Sequence, residues 1–190
     1  RVYGTLRKVP ILSCGSVSFL ASWVLSLYNY SSRIVAVYTN HIRDGYDDGH
    51  TLVEILSDGS FTEKGRWILY DPSFNCLFYS LKTGRFISLI EAVRAVGEGE
   101  LQIYKLPGNP GSHIWLYGPN DNNNFDFWVA HRILSVDELL NWYYRVIRIP
   151  AIYKDGLFYF NKKYAIDSKS LPKYLKGIDD IDFLNSFYNY

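Results

Sequence analysis

Residues 49–71 read GHTLVEILSDGSFTEKGRWILYD, and the way this stretch folds back on itself decides the architecture. Residues 50–56 and 65–70 are apolar runs with β-branched and aromatic side chains, the composition of strands. Between them stand Asp58-Gly59 and Lys64-Gly65, both turn signals. The two runs should form an antiparallel hairpin with its turn near residue 61. In such a hairpin the numbers of paired residues add to a constant. A centre between residues 60 and 61 makes that constant 121, and 50 and 71 add to 121. His50 and Asp71 are then expected opposite each other on one face, with Cβ atoms about 4.5–5.5 Å apart. From there the carboxylate can accept the Nδ1–H of the imidazole, fix its tautomer and leave the other nitrogen facing a third group. A slip of one residue would put the two on opposite faces.

The third group is expected to be Cys14. A helix should open there, with Ser13 as N-cap and Val17, Leu20, Ala21, Val24, Leu25 and Tyr28 recurring at helical spacing. A cysteine in the first turn feels the positive end of the helix dipole and its unpaired N–H groups, and both favour thiolate. The same N–H groups can hold an oxyanion. Gly15 and Ser16 leave the sulfur accessible. Cys14, His50 and Asp71 thus make a workable nucleophile, base and orienting acid. Each also has a plain reading: a small core residue, a strand start, and a turn opener before Pro72.

Outward from this centre, residues 33–39, RIVAVYT, read as a strand and residues 40–49 as a polar loop. Residues 75–81, 101–105 and 113–117 are further strand candidates. Ser88 with Glu91 and Ser135 with Glu138 are capping boxes. The first opens a short helix that Gly97 should close; the second opens a helix to about Arg148, with Pro150 beyond. Residues 151–161 look like a hairpin on Asp155-Gly156, and residues 180–187 are helix-like. The order, one helix, then antiparallel strands, then mixed elements, is that of an α+β protein.

Composition sets the outer bounds. The chain has 190 residues, 48% apolar and 21% charged, which suits a globular protein with its own core. A net charge of +1 gives no electrostatic case for nucleic acid or an anionic membrane. No run approaches the ~20 apolar residues of a membrane span. Two cysteines, Cys14 and Cys76, leave no room for a disulfide framework or a four-cysteine zinc site, though one disulfide remains open. A bond between them would abolish the thiolate, so Cys14 must be free; Cys76, in an apolar run, reads as core. His41, His113 and His131 lack zinc-ligand spacing, and Asp44, Asp47 and Asp48 lack calcium-loop spacing. No cofactor is called for. Trp115, Tyr117, Phe125, Phe127 and Trp128 could stack on sugars or peptides, but aromatics also fill cores. The missing methionine at position 1 suggests that the sequence begins inside a longer product. The protein is expected to be soluble, either cytoplasmic or exported after removal of a signal.

The stretches CGSVSFLASWVLSLYNYSSRIVAVY (14–38), GHTLVEI (49–55) and GRWILYDPSFN (65–75) together resemble the core of the transglutaminase-like superfamily, whose fold is similar to that of papain. The resemblance covers about residues 10–80 and stops by about residue 85. It implies a nucleophile at Cys14, a general base at His50 and an orienting acid at Asp71. It also pairs Arg33, Glu54 and Trp67 with the arginine, strand glutamate and tryptophan of the family pattern. The spacings, 36 residues from Cys14 to His50 and 21 from His50 to Asp71, are those of compact bacterial members. Leu52 departs from the family, which often carries an aromatic there. The upstream oxyanion-hole residue has no evident match; Tyr3 or another early residue could serve.

These readings lead to one set of expectations. Residues 1–85 should form a papain-like core, one helix packed on an antiparallel sheet, and residues 86–190 an extension packed against it in one compact unit. The activity should be cysteine-dependent acyl transfer on a peptide or protein substrate, hydrolysis ahead of transamidation. The alternative is the same fold used as a non-catalytic protein- or glycan-binding module.

Overall fold

The computed structural model describes residues 14–40, 49–59, 64–107, 116–119, 125–128, 135–165, 171 and 174–188. Helix α1 (Cys14–Leu27) leads into β1 (Ser32–Tyr38). Strands β2 (Gly49–Leu56), β3 (Trp67–Asp71), β4 (Cys76–Ser80) and β5 (Arg85–Phe86) follow. Then come helix α2 (Leu89–Glu98), β6 (Leu101–Lys105), β7 (Leu116–Pro119) and β8 (Phe125–Trp128). Helix α3 (Val136–Val146), the hairpin β9 (Ile149–Lys154) and β10 (Leu157–Asn161), a 3₁₀ turn (Lys162–Tyr164), β11 (Leu175–Ile178) and helix α4 (Asp180–Phe187) complete the order.

The class is α+β, and the sheet is larger than one helix on a short meander. Among the described residues nine strands share one sheet in the order β11-β10-β9-β1-β2-β3-β4-β5, with β6 also against β4. Every neighbouring pair is antiparallel except β10 with β11. The reason lies in β1, whose residues 34–38 are all buried. A strand apolar on both faces belongs inside a sheet. Its second edge is taken by β9, with Val35 opposite Ile152, so strands from both sides of residue 85 share the sheet.

Alternation along the strands sends Val35, Val37, Leu52, Leu69 and Phe78 to one face. There they pack with Val93 and Val96 of α2, Leu139 and Tyr143 of α3 and Phe183 of α4. Helix α1 lies on the other side. Its Ser22 hydroxyl meets that of Ser32 at 2.8 Å, and the Phe19 ring meets Tyr153 at 5.4 Å. The stripe of α1 that faces the sheet is small and polar, Cys14, Ser18 and Ser22. Leu20, Val24 and Tyr28 of the apolar repeat are exposed, together with Trp23 and Leu27.

Both capping boxes form as read. Helix α2 runs past Gly97 to Glu98, and Gly99 closes it in the left-handed conformation at φ 74°. Helix α3 stops at Val146 because the chain passes directly into β9. Asp155 and Gly156 turn the β9–β10 hairpin with positive φ at both, 51° and 84°, as a two-residue primed turn requires. Ser13 and residues 41–48 lie outside the described residues, and of the 113–117 candidate only the part inside β7 is described.

Candidate active site

The β2–β3 register corrects the expected one. Val53 pairs with Tyr70 and Leu56 with Trp67, so paired numbers add to 123. The hairpin centre is therefore between residues 61 and 62, and Asp71 falls opposite Leu52. The slip is of two positions, so side-chain parity survives. His50 and Asp71 share a face as diagonal neighbours, about 7–8 Å apart at the backbone. Their side chains close the gap: His50 Nε2 lies 2.6 Å from Asp71 Oδ2. The expected Nδ1 contact is thus replaced by Nε2, because a diagonal partner is reached by the far nitrogen of the ring. Nδ1 is the nitrogen left to face sulfur.

Cys14 stands beside His50 and Thr51, and the imidazole, the Thr51 backbone N–H and the Thr51 hydroxyl all favour its thiolate. The end of the β2–β3 ladder makes this possible. The register puts Pro72 opposite Thr51, and proline has no N–H to give. Thr51 therefore turns its backbone to α1. Its carbonyl accepts from Ser18 Oγ at 2.9 Å, and its N–H is on the side that favours the Cys14 thiolate. Ser18 sits one helical turn after Cys14 on the same stripe. The adjacent Gly49 is dictated by packing: a Cβ there would stand 2.7 Å from the Tyr38 ring.

Asp71 is fully buried and saturated with donors. Oδ1 accepts from the N–H of Ser73 at 2.7 Å and of Phe74 at 3.3 Å, a local turn that Asp-Pro favours. Oδ2 accepts from His50 and from the Tyr143 hydroxyl. Tyr143 also lies 3.4 Å from Cys76 Sγ. Trp142 meets the imidazole edge-on at 4.9 Å, and Phe74 stands 5.8 Å away. These rings keep water off the His50–Asp71 bond. Cys14, which is half-buried, is the most exposed of the three.

Burial opposes the Cys14 thiolate, but the hydrogen bond and charge of His50, with those from Thr51, outweigh it and bring the thiol down to about 7. Burial likewise opposes the imidazolium, yet the charge and hydrogen bond of Asp71, helped by Cys14, hold His50 up at about 10. Between these values sulfur is thiolate while the ring keeps its proton. Cys76 is the opposite case. Burial, then the Asp71 charge, push its thiol far above its ordinary value, and it sits in the core as read. Both cysteines are free.

The resemblance residues Arg33, Glu54 and Trp67 gather at the far end of β2. Arg33 and Glu54 are direct cross-strand partners. Arg33 Nε donates to Glu54 Oε2 at 2.8 Å, and the guanidinium lies 4.0 Å from the Trp67 ring and 4.6 Å from that of Tyr188. Glu54 Oε1 accepts from the Leu89 N–H at 2.6 Å and from the Tyr188 hydroxyl at 3.1 Å. Glu54 is fully buried here, and Arg33 retains only a small exposed fraction.

Thr51, Trp142 and Tyr143 were not among the sequence candidates. One signal pointed to Tyr143: a phenol in the buried stripe of an amphipathic helix, beside Leu139 and Val146, needs a polar partner. His41, His113, His131, Asp44, Asp47, Asp48, Tyr3 and Trp115 lie outside the described residues. Tyr117, Phe125, Phe127 and Trp128 belong to the β7–β8 ribbon. Among the described residues no group of three His, Cys, Asp or Glu is placed to hold a metal, and no helix is long and apolar enough to cross a membrane.

No family model, curated protein or solved structure matches the chain.

Proposed function

We propose that the chain is a cysteine-dependent acyl-transfer enzyme with a transglutaminase-like, papain-like core, acting mainly as a hydrolase of peptide or amide bonds. The observation that carries this reading is the continuous line Cys14–His50–Asp71, half-open at the sulfur and buried at the carboxylate. The Cys14 thiolate attacks the carbonyl carbon, forming a C–S bond and a tetrahedral oxyanion. The oxyanion would form beside the first turn of α1, where the positive end of the helix dipole favours it. His50 gives its proton to the leaving amine as the C–N bond breaks, leaving a thioester. The now neutral ring takes a proton from water, whose oxygen attacks the thioester. The C–S bond then breaks, the acid leaves, and the thiolate–imidazolium pair is restored. An amine in place of water gives transamidation. Asp71 holds the ring and its charge throughout.

The test is alkylation of Cys14 by iodoacetamide, with a peptide and amide substrate screen using Cys14→Ala as control. A thiol lowered from 9.0 to about 7 carries about 100-fold more thiolate at pH 6, of which weaker intrinsic nucleophilicity takes back about tenfold. Cys14 should then react about tenfold faster than an ordinary cysteine at pH 6, and His50→Ala should lose that advantage together with hydrolysis. A Cys14 no faster than a free thiol would sink the reading. The alternative, a non-catalytic protein- or glycan-binding module, draws on the exposed rings of Phe19, Trp23, Tyr28 and Tyr30. It expects no turnover from the same screen and binding that survives Cys14→Ala.

A further inference from the structure

We propose that Tyr143 is a positioning residue that sets the proton affinity of His50 through the carboxylate they share. The proposal builds on the reading of Cys14, His50 and Asp71 as a reactive set, and the fold gives Tyr143 its place. Helix α3 buries Tyr143 completely and points its hydroxyl at Asp71 Oδ2, the oxygen that also takes His50 Nε2.

That hydroxyl is not needed to hold the carboxylate still. Oδ1 is already fixed by the N–H groups of Ser73 and Phe74. What Tyr143 adds is competition for the charge on Oδ2. Every donor to a carboxylate oxygen draws off negative charge, and in a buried site little water is present to offset the effect. With Tyr143 in place, Asp71 pulls less strongly on the His50 proton. Without it, the imidazolium would be held more tightly and would give up its proton at higher pH. A ring that must alternate between acid and base gains from this restraint.

Cys76 extends the arrangement. Its thiol stays protonated because burial opposes the thiolate. The Tyr143 O–H is committed to Asp71, so the Cys76 S–H is the group free to donate across the 3.4 Å to the Tyr143 oxygen. A hydrogen-bonded chain then runs Cys76, Tyr143, Asp71, His50, with Cys14 beside the far side of the ring. A donor to a hydroxyl oxygen makes that hydroxyl a better donor in turn.

The charged and titratable groups around the pair come from every neighbouring element. Cys14 of α1 and Asp71 of β3 face His50, and Tyr143 of α3 stands with its ring 6.5 Å from the imidazole. Tyr70 and Cys76 both feel the Asp71 charge, and Lys105 of β6 acts on Cys76. Among the described residues, Trp142 and Phe74 also pack on the ring and carry no charge.

The experiment is an NMR titration of the His50 ring in the full chain, assigned by its loss in His50→Ala, for wild type, Tyr143→Phe and Cys76→Ala. Tyr143→Phe should raise the His50 midpoint by about half a pH unit or more. Cys76→Ala should raise it by less. A midpoint that stays in place or falls in Tyr143→Phe overturns the proposal and leaves Tyr143 as packing alone. If Tyr143→Phe does not fold, Cys76→Ala decides in the same way. A merely structural tyrosine would lower the melting temperature and leave the midpoint alone. The midpoint is read on resting protein, so it stands or falls apart from any hydrolysis. Slow alkylation of Cys14 would undo the enzymatic reading and leave the Tyr143 test intact.

Discussion

The two ends of β2 are built from the same parts and have different properties. At one end the Asp71 carboxylate is buried under a cation, His50, a phenol, Tyr143, and two backbone N–H groups. At the other end the Glu54 carboxylate is buried under a cation, Arg33, a phenol, Tyr188, and the Leu89 N–H. In both cases the tyrosine comes from the second half of the chain and ties a late helix to the sheet. The ends differ in the cation and in what lies beyond it. Arginine keeps its charge at any working pH and is packed between Trp67 and Tyr188. Histidine can give up its proton, and its other side meets a half-open thiol. The same arrangement locks the fold at one end and leaves a proton to move at the other.

The largest expected effect tests the reactive end directly. Cys14→Ala and His50→Ala should each lower hydrolysis by about 10⁴-fold or more, as removal of either member of a nucleophile–base pair does. Melting curves should move little for Cys14→Ala, because the sulfur is only half-buried. Turnover that persists in Cys14→Ala would place the chemistry elsewhere.

The locked end should show the reverse pattern. Glu54→Gln removes one partner of a buried ion pair and leaves Arg33 uncompensated, a change that costs about 3–5 kcal/mol. Urea unfolding should report that loss. Alkylation of Cys14 in the folded fraction should stay within about twofold of wild type, since effects at separated sites with no shared partner add independently. A large fall in Cys14 reactivity would mean that the two ends are coupled along β2.

The pH profile comes next in size. Cys14 alkylation should rise as pH rises through about 7, where the thiolate forms. Hydrolysis should fall again above about 10, where His50 loses the proton that it gives to the leaving amine. The sign follows from the order of the two: the thiol titrates first, so the ion pair exists between them. Stopped-flow alkylation and initial rates over pH 5–11 would check both limbs, and a single limb near 9 would contradict the arrangement.

The contrast between the ends also explains what the sequence could reveal. The hairpin, the capping boxes of α2 and α3, β6 and α4 are local, and their signals were legible residue by residue. Cys14, His50 and Asp71 were legible because a helix start, a strand start and an Asp-Pro turn leave marks in order. The register missed by two positions because it hangs on the turn centre, which two separate glycine signals bracket without fixing. Side-chain parity survived, but the ring nitrogen that reaches Asp71 did not. Tyr143 and Tyr188 were hidden for another reason. Each meets its carboxylate across a long stretch of chain, 72 residues from Asp71 and 134 from Glu54, and no local pattern records such a contact. The outward turn of the α1 apolar repeat was hidden as well. It follows from the need of Cys14 and Ser18 to reach Thr51, which only the packed structure shows.

The smallest expected effect is the sharpest test of the comparison. Tyr188→Phe removes the same atom at the locked end that Tyr143→Phe removes at the reactive one. The Tyr188 hydroxyl is shared between the two Glu54 oxygens at 3.1 and 3.3 Å, while Arg33 and the Leu89 N–H stay in place. The ring remains to stack on the guanidinium. The hydrogen bond to a charged group is lost, and the oxygen that meets the Ile90 N–H goes with it, so stability should fall by about 1.5–3 kcal/mol in urea unfolding. No proton should move with it, because arginine does not titrate. The His50 midpoint should therefore be the same in Tyr188→Phe as in wild type, although it rises in Tyr143→Phe. Equal shifts in both variants would mean that the phenols act through general loosening of the core, and the distinction between a locked and a movable proton would fail.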